Sequence, residues 1–240
     1  MCGRYTLAAT NPALLWERFA VASDIEIRRR FNVAPTDDVV AVTTDREGTP
    51  RGSVLRWGLV PFWAKDPKIG ARMINARAES VADKPAFRDG FAQRRCLILA
   101  DGFYEWRPPD PSDAGSRKQP FHITRADGEP FAFAGLWATW RPAGADPELE
   151  PLRSCTIITT TANPRIADIH DRMPVILPSR EAERTWLDHG TPAPVLHELL
   201  APLPAPQTAA RPVGFAVNDA RHDAPDCLDP PPQQPADSLF

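Results

Sequence analysis

The chain has 240 residues, 42% hydrophobic and 25% charged, with a formal net charge of −3; it is long enough for a large buried core, and no run nears the ~18 apolar residues of a membrane span. The first residues lack a basic start followed by an apolar run, so no secretory signal is expected. Cys2, Cys96, Cys155 and Cys227 stand far apart with no C-x-x-C pair, which argues against a metal site or disulfide framework and for a reduced, cytoplasmic setting.

The small net charge hides an asymmetry. Residues 1–77 carry 12 Lys+Arg against 8 Asp+Glu, and the remainder 16 against 23. A basic N-terminal third permits a local anion-binding face. In chain order, "NPALLWERFAV" (11–21) predicts a helix with Asn11 as cap, Pro12 at its first position and Leu14, Leu15 and Phe19 on one apolar face. Strands are expected at "VVAVTT" (39–44), "RCLILA" (95–100), "FHIT" (121–124), "FAFAGLWATW" (131–140), "SCTIITT" (154–160) and "PVIL" (174–177). "NPRIADIH" (163–170) predicts one short helix. "SREAERTWLDHG" (179–190) predicts another, with Ser179 as cap and Gly190 as stop. "RPPDPSDAGSRKQ" (107–119) is a turn-rich excursion between strands, and "DPPPQQPADSLF" (229–240) a Pro-rich disordered tail. Strands outnumber helices without alternating with them. The expected fold is a single α+β domain over residues 1–228, with a bent, largely antiparallel, barrel-like sheet and flanking helices.

Four stretches are odd for mere scaffolding: "MCGRY" (1–5), "WGLVPFW" (57–63) leading to "MINARAES" (73–80), "ADGFYEW" (100–106) and "DIHDRMPVIL" (168–177). Glu105 is flanked by aromatics. A carboxyl group there loses hydration, its pKa rises, and it suits acid–base work near neutral pH. A solvent-facing Glu on a half-buried strand is the plainer alternative. His170 sits among Asp168, Asp171 and Arg172, placed for proton transfer or simply held by a backbone hydrogen bond. Asn75 and Arg77 are two apart, so in an extended stretch they share a face and suit a phosphate. Trp57, Phe62 and Trp63 lie upstream. Most of these belong to a core, and one or two are candidates for stacking on the bases of a single strand.

Removing Met1 would make Cys2 the N-terminus, with a thiol and a free α-amine on adjacent carbons. Their reference pKa values are about 8.5 and 7.7–8.0, so a minority of each is nucleophilic at pH 7. A nearby Arg4 is expected to favour the thiolate further. The amine condenses with an aldehyde to an imine, and the sulfur closes on the same carbon to give a thiazolidine. Holding both nucleophiles on one residue makes the closure intramolecular. An abasic site in DNA is an aldehyde flanked by phosphates, and the four stretches offer the groups its capture requires.

Taken in order, "MCGRY", "NVAP" (32–35), "WGLVPFW", "INARAES", "ADGFYEW", "HDRMPVIL" and "VNDARHDAPDCLDP" (217–230) resemble the SRAP family, the SOS response-associated peptidases, also called abasic-site processing proteins. The resemblance runs from Cys2 to about Pro230. It implies that Cys2, freed of Met1 by the protein itself, is the crosslinking nucleophile. Asn75 would position the new amine and a phosphate. Glu105 would serve ring opening, Met1 removal and crosslink reversal, and His170 would act near the 3′ phosphate and in strand scission. Arg4 and Arg77 would bind phosphates, and Phe62 and Trp63 would stack or wedge beside the lesion. The implied partner is single-stranded DNA with an abasic site, held covalently by a monomer without cofactor. Two alternatives stay open: a thiol peptidase acting on other proteins, and a non-catalytic module for single-stranded DNA.

Overall fold

In the computed structural model, which describes residues 2–8, 13–112, 117–146 and 148–232, the chain runs β1 (Tyr5–Leu7), α1 (Ala13–Arg18), β2 (Arg30–Val33), β3 (Asp38–Thr44), β4 (Pro50–Trp57), β5 (Asn75–Arg77), α2 (Arg88–Gln93), β6 (Arg95–Ala100) and β7 (Gly102–Arg107). It continues through β8 (Gln119–Arg125), β9 (Phe131–Trp140), β10 (Leu152–Thr161), β11 (Arg172–Pro174), α3 (Arg180–Leu187), α4 (Ala193–Glu198) and β12 (Thr208–Pro212). The expected α+β fold is the one observed. No helix among the described residues is long and apolar enough to cross a membrane.

The sheet order β10-β4-β3-β6-β9 is closed by pairing of β9 with β10. This makes a five-stranded barrel, and closure removes its open edges. All six residues of β6 are buried, as a continuous apolar run on a strand covered on both faces requires. β10 is the seam. One of its edges pairs in parallel with the end of β4 (Cys155 opposite Trp57) and then with β5 (Ile157 opposite Asn75). The loop 58–74 therefore leaves and re-enters along one strand. It closes on itself where Gly58, at φ +128°, crosses Gly70 so tightly that a Cβ on either would meet the other's carbonyl oxygen at 2.5–2.7 Å.

A second, antiparallel sheet, β12-β8-β7-β1-β2, lies against the barrel. Aromatic rings join the two. Tyr5 of β1 meets Trp57 at 5.4 Å and Phe133 at 5.6 Å, both edge-on, and Phe103 of β7 meets Phe133 at 6.3 Å. These edge-to-face pairs add to the area they bury. Behind them Asp101 accepts from the Thr6 hydroxyl and the Ala8 N–H, and Thr6 Oγ1 lies 3.1 Å from the buried His122 Nε2.

Two helix expectations are corrected. The first helix is described over Ala13–Arg18 and ends short of the expected Val21; its expected start, Asn11-Pro12, lies outside the described residues, as do 113–116 and 233–240. Residues 163–170 form hydrogen-bonded turns. The Asn163 side chain holds the Arg165 and Ile166 N–H groups and reaches away to the Leu203 carbonyl, and His170 then turns the chain into β11. Backbone bonds of helical spacing form only singly, from the Ala167 N–H to Asn163 and from the His170 N–H to Ile166, and the local side-chain bonds compete with a continuous helix. α3 starts as expected, with Ser179 Oγ accepting from the Ala182 N–H, but ends at Leu187, short of Gly190.

At Gly102 a Cβ would lie 2.1 Å from His122 Nε2 and 2.9 Å from Thr6 Oγ1, so two buried side chains would have to shift. Gly102→Ala is expected to lower Tm by about 4–10 °C, the cost of overpacking a buried site in a chain of this size. Thermal unfolding with an unchanged Tm would contradict the close crossing of β1, β7 and β8.

Candidate active site

β1 and β7 pair with Tyr5 opposite Phe103 and Thr6 opposite Gly102, and the Tyr104 N–H reaches the Arg4 carbonyl at 3.0 Å. Continued by one step, this register sets Gly3 level with Glu105, so residue 2 arrives beside that carboxyl group. From the other side Asn75 Nδ2 donates to the Cys2 carbonyl at 2.8 Å. Asn75 is positioned in turn by the β5–β10 pairing and by Trp57, whose indole N–H holds the neighbouring Ile74 carbonyl at 2.9 Å. Two residues far apart in sequence thus fix the N-terminal segment against the acid.

Cys2 is fully buried, with its sulfur 4.0 Å from the Arg4 carbonyl. Burial, reinforced by the Glu105 carboxyl group, holds its thiol well above the ordinary value. The expectation that Arg4 favours the thiolate is therefore corrected: desolvation dominates at Cys2, and the Arg4 guanidinium is turned to other partners. The Arg4 guanidinium reaches Asn32 Oδ1 at 3.0 Å and the Val217 carbonyl at 2.8 Å. Asn32 Nδ2 in turn donates to the carbonyls of Val217, Asp219 and His222. Arg4 and Asn32 together tie the C-terminal segment to the strand that presents Cys2.

Glu105 is buried, and that burial pushes its carboxyl up to about 7, so near neutral pH it can both give and take a proton. His170 Nε2 lies 3.9 Å from Glu105 Oε2. His170 Nδ1 accepts from the Arg172 N–H at 2.9 Å, which leaves the neutral ring's proton on Nε2, facing Glu105. Partial burial lowers the pKa of this histidine. The exposed Asp171 carboxylate lies 2.9 Å from Nδ1.

On β5 the alternation is as expected: Ala76 is buried, Asn75 half-buried and Arg77 exposed, with Asn75 and Arg77 on one face. The Asn75 Oδ1 atom is buried without a hydrogen-bond partner among the described residues. Arg172 of β11 is held by Glu79 through two bonds and donates to the Thr159 carbonyl. Phe62 and Trp63 are 66% and 49% exposed on the 58–74 loop, whereas Trp57 is core.

The structure thus joins Cys2, Asn75, Glu105 and His170, sets Arg4 behind them, and puts Phe62 and Trp63 on a separate loop. Sequence reasoning missed a cavity of about 500 Å³ that opens beside Glu105 and His170 and is lined by Trp106, Arg117, Lys118, Phe215 and Asn218. Its only local signal was the basic pair closing the 107–119 excursion. It also missed a grouping of potential metal ligands among the described residues, His222, Asp226 and Cys227, with ligand atoms within 4.8 Å of one another. There His222 Nε2 is bonded to Asp226 Oδ1 at 2.7 Å, and Cys227 donates to the His222 carbonyl.

Comparison with known proteins places this arrangement. The pattern of the SOS response associated peptidase (SRAP) family matches residues 1–220. The chain is 41% identical over 233 residues to the abasic site processing protein YoqW of Bacillus subtilis, covering 95% of this chain and 99% of that protein. It is 32% identical over 237 residues to the abasic site processing protein YedK of Escherichia coli, covering 96% and 100%. A solved structure of a protein from Bacteroides thetaiotaomicron shares the fold, with a TM-score of 0.80 at 24% identity over 95% of this chain and 99% of that one. With Cys2 fixed beside a buried glutamate on the same scaffold, the chain belongs to the SRAP family.

Proposed function

We propose that this protein captures abasic sites in single-stranded DNA covalently through Cys2, after loss of Met1. The observation that carries the reading is the bond from Asn75 Nδ2 to the Cys2 carbonyl, which fixes residue 2 beside a carboxyl group poised near neutrality. The names of YoqW and YedK as abasic site processing proteins support it.

With Met1 attached, the Cys2 nitrogen is an amide and cannot form an imine. Hydrolysis of that peptide bond, the peptidase step, frees the amine, and the Asn75 Oδ1 acceptor stands ready for it. Glu105 then gives its proton to the sugar ring oxygen while water takes the proton of the anomeric hydroxyl, and the hemiacetal opens to the aldehyde. The amine adds to the aldehyde carbon and water leaves. The thiol, protonated because it is buried, adds to the resulting imine carbon. Glu105, by then a carboxylate, takes the sulfur's proton while the imine nitrogen takes back from water the proton that the anomeric hydroxyl gave up, and the ring closes. Because both nucleophiles sit on one residue, the second bond forms without a second encounter. Reversal retraces these steps through the same acid. His170 serves strand scission, Arg4 and Arg77 bind phosphates, and Phe62 and Trp63 stack beside the lesion.

A denaturing gel after incubation with single-stranded DNA containing one abasic site tests this. The expected result is a covalent band that disappears in Cys2→Ala and is weak with intact DNA. Glu105→Gln is expected to slow its appearance about 10²-fold, the usual scale of general acid–base catalysis. A Cys2→Ala protein that crosslinks fully would overturn the proposal.

The proton on Glu105 is checked separately through stability. Its folded-state value near 7 exceeds the ordinary 4.5. The folded protein therefore binds more protons between those values and loses stability as pH rises through them. Glu105→Gln removes that loss, so the variant is expected to gain up to about 3 kcal/mol on wild type between pH 5 and pH 8. A stability difference independent of pH, measured by urea unfolding, would contradict a buried, protonated Glu105.

A further inference from the structure

The grouping of His222, Asp226 and Cys227 lies in the C-terminal segment, and no step of the proposed reaction uses it. Turns shape this segment. The His222 N–H reaches the Asp219 carbonyl, and the Cys227 N–H reaches the Ala224 carbonyl, opening a 3₁₀ turn over Pro225–Leu228. These turns bring an imidazole, a carboxyl group and a thiol together, with their ligand atoms within 4.8 Å of one another. His222 Nε2 and Asp226 Oδ1 are 2.7 Å apart, on side chains open to solvent. Cys227 is buried, and its sulfur donates to the His222 carbonyl at 3.6 Å.

Thiolate and imidazole together select a borderline-soft ion such as Zn²⁺. The thiolate and the carboxylate supply two negative charges, which neutralise a divalent cation. Bond lengths of about 2.0–2.3 Å set the ligand atoms of tetrahedral Zn²⁺ roughly 3.3–3.6 Å apart. The closest pair here must open and the widest must close, each by roughly 1 Å, a change that rotation of the two solvent-facing side chains supplies. We infer that His222, Asp226 and Cys227 bind one Zn²⁺, with water in the fourth position. On binding, the Cys227 thiol proton passes to solvent, and the imidazole proton is exchanged through solvent from Nε2 to Nδ1. The lone pairs so freed ligate the ion, and nothing is oxidised or reduced. The His222 carbonyl loses the weak bond from sulfur but keeps Asn32 Nδ2 at 2.7 Å, and Asn32 holds Arg4. The ion therefore braces the segment that ties down the strand presenting Cys2. Cysteine spacing did not announce the site because a single cysteine takes part. The inference is independent of the abasic-site reading.

The test titrates Co²⁺, an optical stand-in for Zn²⁺, into the full-length protein freed of metal by a chelator. A thiolate bound to Co²⁺ gives a sulfur-to-metal charge-transfer band in the near ultraviolet. The band is expected to saturate at one equivalent of Co²⁺ and to vanish when Zn²⁺ displaces it. It should survive Cys2→Ala, which removes the competing N-terminal chelator, and be absent from Cys227→Ser. Serine keeps a donor for the His222 carbonyl, and circular dichroism checks that this variant folds. His222→Asn alters only an open side chain and should weaken Zn²⁺ binding at least about tenfold, since even groups that merely support a ligand count on that scale. Zn²⁺ at a hundredfold excess over its Kd should raise the Tm of wild type by about 5–10 °C and that of His222→Asn by less. A band that fails to appear, survives Cys227→Ser or disappears in Cys2→Ala would overturn the site. So would equal Zn²⁺ affinity, or an equal rise in Tm, in wild type and His222→Asn.

Discussion

The hydrogen bond from Asn75 to the Cys2 carbonyl is the constraint on which the site depends. It joins two sheets that also share one apolar core. Asn75 belongs to the barrel through β10, and Cys2 leads into β1 of the second sheet. The Tyr5, Trp57 and Phe133 contacts set the distance between the sheets. The β1–β7 register sets the height of residue 2 against Glu105. Slipping that register by one residue would turn every side chain of β1 to the opposite face. The chemistry at the N-terminus is thus specified by packing some residues away.

Burial tunes the site in two directions. It raises the Glu105 carboxyl to about 7, which makes that group an acid near neutral pH. The same burial raises the Cys2 thiol, which keeps sulfur protonated until a base is at hand. In the proposed capture one carboxyl group first loses and then regains a proton, and so serves both. His170, neutral and oriented by the Arg172 N–H, faces that carboxyl group without competing for the proton. Arg4, two residues from Cys2, also has a mechanical part besides the phosphate binding proposed for it. Arg4 is a strut between β1, Asn32 and the C-terminal segment, so residues 217–222 hold the N-terminal strand in place.

Much of the barrel was legible because its strands are apolar runs bounded by turn residues. "RCLILA" and "FAFAGLWATW" became β6 and β9 with the expected limits. The shared face of Asn75 and Arg77 followed from strand periodicity. Ser179 announced its helix through capping chemistry. Other features depended on contacts that no local pattern encodes. Residues 163–170 read as a helix, yet the Asn163 side chain spends its bonds on the turn and on Leu203. The Arg4 guanidinium is set by residues 28 and 213 positions away. The parallel meeting of β4 and β5 along one edge of β10 is non-local too, and it places Asn75. Likewise Trp106, Arg117 and Phe215 form one cavity only after β7, the excursion and the C-terminal segment fold together.

The central claim is that sulfur and nitrogen of residue 2 both bond to a single sugar carbon. Peptide mass spectrometry of the purified DNA adduct addresses it directly, using a thiol-alkylating reagent and a borohydride that reduces imines. The account predicts an N-terminal peptide that begins at Cys2, carries the sugar, resists alkylation and takes up no hydride. A Cys2 thiol that remains alkylatable, an adduct that borohydride reduces, or a sugar attached at another residue would contradict it.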